Sequence, residues 1–411
     1  MHRSISLAAA ALLAGAATSI SAAPASNSEA EARDTARVGI AIRYRFEHVE
    51  QDNFARDANA STARLRMNYR SRSWNGWSAF GEFDAVGEVF ASDFNSGGGT
   101  SPGRTAYPLV ADPKGPDLNQ LFVDYKGYEG WLGRIGRQRL LMDNQRFIGG
   151  VGWRQNEQTY DALSLVSTGF KYATLTYSYV AAVRRIFGDS SLVGKSDTDA
   201  HLFNLRLALN ERWRLVPYYY YLDYEDLVEA ASSTATLGVR VSGEFNLGAG
   251  KLALTAETAR QSDVAQNPAD FDASYYLLDA NWTPVERLSL GLGLESLSGS
   301  ASRSDAAFRT PLATLHAFQG WADQFVATPA AGVNDRYVSL KFAAGKWDIT
   351  GVFHDFVGES GGERYGQEFD VSGARKFGRH YGILLKAALF EADSPTFTDT
   401  SKVWLQLSAD F

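Results

Sequence analysis

Apolar and polar residues alternate along almost the whole chain. Val38, Ile40, Ile42, Tyr44 and Phe46 share one parity, and Gly39, Ala41, Arg43, Arg45 and Glu47 the other. A period of two is the mark of a strand with one apolar and one wet face. After a loop around residues 51–59, Ala63, Leu65, Met67 and Tyr69 alternate with Arg64, Arg66, Asn68 and Arg70. The last segment does the same: Val403, Leu405, Leu407 and Ala409 alternate with Lys402, Gln406, Ser408 and Asp410 before Phe411, with Trp404 as the bulky exception. In the middle of the chain, Tyr218, Tyr220, Leu222 and Tyr224, and likewise Leu288, Leu290, Leu292 and Leu294, read as outward apolar faces.

The connections alternate too. Short turns are predicted near residues 71–76, 128–130, 167–169, 210–212, 246–250, 283–287, 345–346 and 377–380. Longer, Gly- and polar-rich loops are predicted at 92–117, 140–158, 184–199, 226–232, 262–270, 299–336, 358–367 and 391–401. Short turns on one side and long loops on the other describe an up-and-down transmembrane β-barrel of about 18 strands of roughly 9 to 14 residues, with both termini on the periplasmic side. Tyr69, Trp77, Trp282, Trp347 and Tyr381 suit interfacial aromatic girdles. In such a barrel the last strand closes the ring and Phe411 is read by the assembly machinery; the alternative is an ordinary edge strand of a soluble sheet.

The N-terminus sharpens the picture. His2 and Arg3, an apolar run from Ile5 and small residues up to Ala25 read as a signal peptide over 1–25. A polar lead over 26–36 and a single barrel domain over 37–411 follow. No other apolar run reaches the roughly 18 residues of a spanning helix, so membrane strands, in a bacterial outer membrane, are the expectation. Composition agrees: 45% of residues are hydrophobic and 13% aromatic, yet mean hydropathy is slightly negative, as when every second residue faces water. With no cysteine in 411 residues, stability rests on hydrogen-bond ladders and packing. A net charge of −7 gives no reason to expect nucleic-acid binding.

Catalysis finds little support. Gly358-Glu359-Ser360-Gly361-Gly362 matches the nucleophile-elbow pattern, but that motif needs a strand, a sharp turn and a helix with an acid and a histidine behind it. His48, His201, His316, His354 and His380 are scattered, with no pair at metal-ligand spacing. No catalytic residue, metal or cofactor is expected, although a lipid hydrolase is the enzyme alternative.

The inward charges suggest permeation instead. Arg43, Arg45, Arg64, Arg66 and Arg70 crowd one face of one hairpin, with Arg206 and Arg240 further on, while Glu82 and Asp84 lead a set of inward acids on other strands. A basic wall opposite an acidic wall would set a transverse field and favour anions. Residues 133–163, GRIGRQRLLMDNQRFIGGVGWRQNEQTYDAL, are the most unusual stretch. Arg137, Arg139, Arg146 and Arg154 stand among amides and glycines with the acids Asp143, Glu157 and Asp161. Guanidinium forks bind carboxylates bidentately; a loop cross-linked by its own charges is the equal alternative.

This stretch, together with residues 308–332 (FRTPLATLHAFQGWADQFVATPAAG), resembles the alginate-export outer-membrane porin family over essentially the whole chain after the signal. The resemblance implies an 18-stranded barrel with an arginine-lined constriction that passes an anionic polysaccharide or a smaller anionic solute. By position, Arg137, Asp143 and Asp161 match the family's charged constriction. The alginate exporter has a long periplasmic turn that plugs its pore; here every such turn is short, which favours an ungated, porin-like relative. The competing expectation is a closed structural or surface-recognition barrel that binds through its external loops.

Overall fold

Backbone N–H and C=O groups in hydrocarbon must pair internally, and the chain meets this demand with one closed sheet. The computed structural model describes residues 35–411; the expected signal peptide over 1–25 and most of the expected lead lie outside the described residues. The strands are β1 Arg37–Gln51, β2 Ala58–Arg70, β3 Trp77–Asp93, β4 Gly115–Tyr125, β5 Trp131–Gln138 and β6 Thr159–Phe170. They continue as β7 Ala173–Arg184, β8 Lys195–Ala208, β9 Trp213–Tyr224, β10 Thr234–Leu247, β11 Gly250–Asp263 and β12 Asp272–Val285. The ring is completed by β13 Leu288–Leu297, β14 Val333–Ala344, β15 Trp347–Val357, β16 Arg364–Phe377, β17 Tyr381–Ala392 and β18 Thr400–Asp410.

Each strand pairs antiparallel with its neighbours in sequence, and β1 pairs with β18 from Ala41↔Asp410 to Gln51↔Thr400. Phe411 extends this seam: its N–H donates to the Ile40 carbonyl at 2.8 Å and its carbonyl accepts from Ile40 at 3.1 Å. Turns on the side of the termini are short, as at 248–249, 286–287 and 345–346. Loops 94–114, 139–158 and 298–332 lie on the other side. Among the described residues the helical pieces are two short 3-10 turns, Ala230–Ser232 and Leu315–Ala317.

The outward face carries Ile40, Ile42, Leu65, Met67, Leu290, Leu292, Leu294, Val403 and Leu407, all exposed. The inward face carries the charges, and Trp404 turns inward and is fully buried. One expected phase is reversed. Tyr218, Tyr220, Leu222 and Tyr224 face inward and are buried, while Tyr219 is exposed. Strand β9 is apolar on both faces, so alternation alone carries no sign. The inward row finds an apolar partner that local sequence does not reveal, the loop side chain Phe147, 5.5 Å from Tyr218 between ring centres.

The expected result of placing a cation on each face differs. Leu292→Arg, at the middle of β13 on the lipid side, should cost about 2–4 kcal/mol, whereas Thr255→Arg, on the inward face opposite Asp279, should cost far less. Denaturant unfolding of the protein in lipid vesicles measures both, and equal costs would contradict the assigned faces.

Candidate functional site

Loops 139–158 and 298–332 turn into the barrel and meet there. Ile148 and Leu312 form a parallel bridge. Gly149 N–H donates to the Leu312 carbonyl at 2.8 Å, and Thr314 N–H to the Gln145 carbonyl at 3.0 Å. Phe147 sits between Tyr275 and Phe308, with centroid distances of 5.1 and 5.8 Å, so the loops share a core with the β9 and β12 walls. Burying irregular backbone requires partners for its peptide groups. Two sets of wall side chains supply them.

The first set is the arginine row. Arg43 donates to the carbonyls of Gly152, at 3.0 Å, and Arg154, and to Gln155 Oε1 at 2.9 Å. Arg45 donates to the Trp153 carbonyl and lies 4.0 Å over the Trp153 ring. Arg64 donates to the Gln155 carbonyl at 3.0 Å. Arg66 takes both oxygens of Asp84, at 2.7 and 2.6 Å, and Glu157 Oε1 at 2.7 Å. Arg139 bridges Glu82, at 2.5 Å, and Glu157. Arg154 reaches Glu47 at 3.0 Å and Asp323 at 3.4 Å. Burial would raise the Glu157 carboxyl, but Arg139, Arg66 and Arg64 hold it well below the usual carboxylate range.

The second set anchors loop 298–332. His316 stacks on Trp153, 4.7 Å between centroids and 9° from parallel. Its Nδ1 is 2.7 Å from Asp323, and its Nε2 is 2.7 Å from Lys386 Nζ. A neutral imidazole satisfies both contacts: Nδ1–H donates to the carboxylate and Nε2 accepts from the ammonium. The protonation balance agrees, because burial, with Lys386 adding to it against Asp323, pushes His316 down to about 3. Asp323 also accepts from Lys402 at 2.7 Å. Burial alone would raise this carboxyl, yet His316, Lys402 and Arg154 hold it well below its ordinary value. Glu368 accepts the Ala322 N–H at 2.7 Å, and Lys386 Nζ lies 3.7 Å over the Trp321 ring.

The sequence-predicted residues are therefore sorted by the fold. Arg43, Arg45, Arg64, Arg66, Glu82, Asp84, Arg139, Arg154 and Glu157 converge on one seam. Most of them are buried beneath the loop and do not face an open lumen. Acids stand beside the arginines on β1 and β3, so the expected basic wall opposite an acidic wall is largely replaced by local pairing. Arg70 is elsewhere, near Asp124 at 3.2 Å. Arg146 is buried against Glu295 at 2.7 Å, and Asp143 accepts from Asn204 at 2.7 Å.

Arg137 and Asp161 do not belong to a constriction. They pair across β5 and β6 at 2.9 Å, in register between Leu121 and Ala182 and on the same face as exposed Ile135 and Leu163. Arg184 joins them from the same outer face at 2.9 Å. Gly136, at φ +123°, lets β5 approach the Leu121 carbonyl where a Cβ would collide. It adds no residue to the register, so the alternation runs through and leaves Arg137 outside.

Sequence reasoning missed Asp112, Trp153, Gln155, Asp323, Lys386 and Lys402. Asp112 accepts the Gln155 N–H at 2.7 Å from loop 94–114. The inward parity of Lys402 and the aromatic cluster in 308–332 were the available signals. Ser360 Oγ accepts a hydrogen bond from Ala301 N–H at 3.2 Å, so the Gly358–Gly362 stretch ties two loop bases together. Among the described residues no group of His and acidic side chains could hold a metal ion.

Solved structures of the same architecture include barrels from two bacteria. OccAB3 of Acinetobacter baumannii aligns with a TM-score of 0.71 at 11% identity, over 92% of this chain and 99% of its own. OccAB4 of the same organism gives 0.70 at 13% identity, over 92% and 98%. OpdK of Pseudomonas aeruginosa, solved with vanillate, gives 0.68 at 12% identity, over 92% and 98%. At such identities the likeness shows the fold alone, a closed antiparallel β-barrel. Curated proteins offer no match. The sequence of residues 34–306 matches the family described as alginate export; that match stops short of 308–332, the second stretch on which the resemblance was read. Because the match spans most of a chain that closes into a barrel narrowed by its own loops, the protein belongs to the alginate export family.

Proposed function

We propose that the protein is an outer-membrane channel for anionic saccharides or carboxylates, narrowed by loops 139–158 and 298–332. One observation carries the charge preference. Arg43 and Arg64 stand directly opposite each other on β1 and β2, and no carboxylate ion pair is made by either among the described residues. Like charges in register are unfavourable, and peptide carbonyls solvate a guanidinium without cancelling its charge. Each neighbouring arginine has a carboxylate within ion-pair distance: Arg45 Asp112, Arg66 Asp84, Arg139 Glu82 and Arg154 Glu47. The seam therefore keeps net positive charge at Arg43, which is only partly buried. A low-dielectric wall strengthens that field. The vanillate in the OpdK structure is a carboxylate, which supports the same solute class here.

A closed barrel is the second reading, because both long loops occupy the lumen. Single-channel recording in planar bilayers decides between them: conducting steps support the channel, and a correctly folded protein without steps supports the closed barrel. In a salt gradient the wild type should prefer anions, and Arg43→Gln with Arg64→Gln should move the reversal potential toward cations. An unmoved potential would sink the assignment of charge preference to this pair.

Arg66 is expected to behave differently. Arg66→Ala strands buried Asp84 without its partner and leaves Glu157 with Arg139 as its ion-pair partner, and should cost about 3–5 kcal/mol, read as a lowered denaturation midpoint.

The His316 anchor predicts a pH effect. His316 titrates at about 3 when the loop is seated and near its free value of about 6.5 when the loop is released. Released loop takes up a proton that seated loop refuses, so seating weakens as pH falls from about 6.5 toward 3. Conductance should rise or flicker over that window, and His316→Gln should flatten the change.

A further inference from the structure

The inner wall half-way round the ring from β1 and β2 carries a second group of poorly neutralised cations. Thr174 on β7 stands opposite Arg206 on β8. Arg214 on β9 stands between Ala208 on β8 and Ser242 on β10. Arg206 and Arg214 are thus diagonal neighbours, roughly 7–8 Å apart at their backbones, with the small Ala208 leaving a notch beside them. The row reads hydroxyl, guanidinium, guanidinium, hydroxyl across four strands.

Thr174, Arg206, Ala208 and Arg214 line a cavity of about 860 Å³ at the periplasmic mouth, together with Thr168, Lys171 and Tyr172, with Glu129 as its one carboxylate. The cations there are poorly satisfied. Arg206 has Asp143 as its nearest carboxylate, at 3.8 Å and without a hydrogen bond, and that carboxylate is already used by Asn204. Arg214 is exposed and makes no ion pair or side-chain hydrogen bond among the described residues. Lys171 lies 4.9 Å over the Tyr172 ring. This differs from the β1–β2 seam, where the loop's own carbonyls occupy the guanidinium donors.

We propose that this wall is a second binding site, for the carboxylate of a uronate unit. The forks of Arg206 and Arg214 take the carboxylate, Thr174 takes a ring hydroxyl, and Tyr172 offers a face for the sugar ring. The proposal rests on the anionic-solute reading of the channel and deepens it. It places a holding point on the periplasmic side, separate from the Arg43–Arg64 seam, so that a charged chain is gripped on alternate walls as it crosses.

The test titrates the intact barrel in detergent micelles with a uronic acid trisaccharide by calorimetry, and records ion selectivity of the same preparations in bilayers. Arg214→Gln and Arg206→Gln should each weaken binding about tenfold, the scale of one charge-assisted hydrogen bond. Arg214→Lys, which keeps the charge but not the fork, should recover part of that loss. Heat-modifiable migration confirms that each variant is folded. Equal affinity of wild type and Arg214→Gln, no binding by wild type, or equally tight binding of a neutral trisaccharide would each overturn the site. A channel without anion preference whose trisaccharide binding still depends on Arg214 would sink the functional reading and leave the site standing.

Discussion

Everything in this molecule follows from the requirement that no peptide group face hydrocarbon unpaired. One chain meets it by pairing β18 back onto β1, and closure fixes the parity of every residue. Once the outward parity is given to lipid, each charged residue of the strands must go inward or to a rim. Arg43, Arg45, Arg64 and Arg66 are inward on that account, whatever they later bind. Arg137, Asp161 and Arg184 are outward and survive by pairing with each other at the end of their strands.

Closure creates a second problem, a wide interior, and the chain fills it with its own loops. A buried loop is irregular backbone, and its carbonyls need donors. Arginine is suited to this because one guanidinium offers five N–H groups. Arg43 satisfies two carbonyls and an amide at once, which a lysine could not do in a fixed plane. Where acids enter the same seam the pairs become buried networks, as at Arg66, Asp84 and Glu157. Removing one member there is costly, although the assembled pair adds little stability of its own.

The ring was legible because the alternation of apolar and polar residues is the same physical fact as the two-faced sheet. Strand number, turn sides and the inward arginines follow from it. Three features were not legible, each for a physical reason. The phase of β9 failed because Tyr218 to Leu222 are apolar on both parities, and the deciding contact comes from Phe147 far away in sequence. Arg137 and Asp161 were misplaced because their position was taken from the family resemblance, whereas the alternation runs through Gly136 and puts them on the outer face. The anchor of His316, Asp323, Lys386 and Lys402 joins a loop to two strands, and no local pattern encodes such a meeting.

These constraints also couple the width of the lumen to the stability of the fold. Loops 139–158 and 298–332 supply the apolar centre of the barrel through Phe147, Ile148, Phe308, Leu312 and Phe325. A change that widens the interior by shrinking these side chains also removes core contacts, so width is not free to vary. Charge is freer, because the guanidiniums at the edge of the seam and on the β8–β9 wall take little part in that core. In a barrel built this way, discrimination between solutes is adjusted most cheaply by the cations with weak or no carboxylate partners, Arg43 and Arg64 above and, below, Arg214 and Arg206, whose carboxylate stands 3.8 Å away.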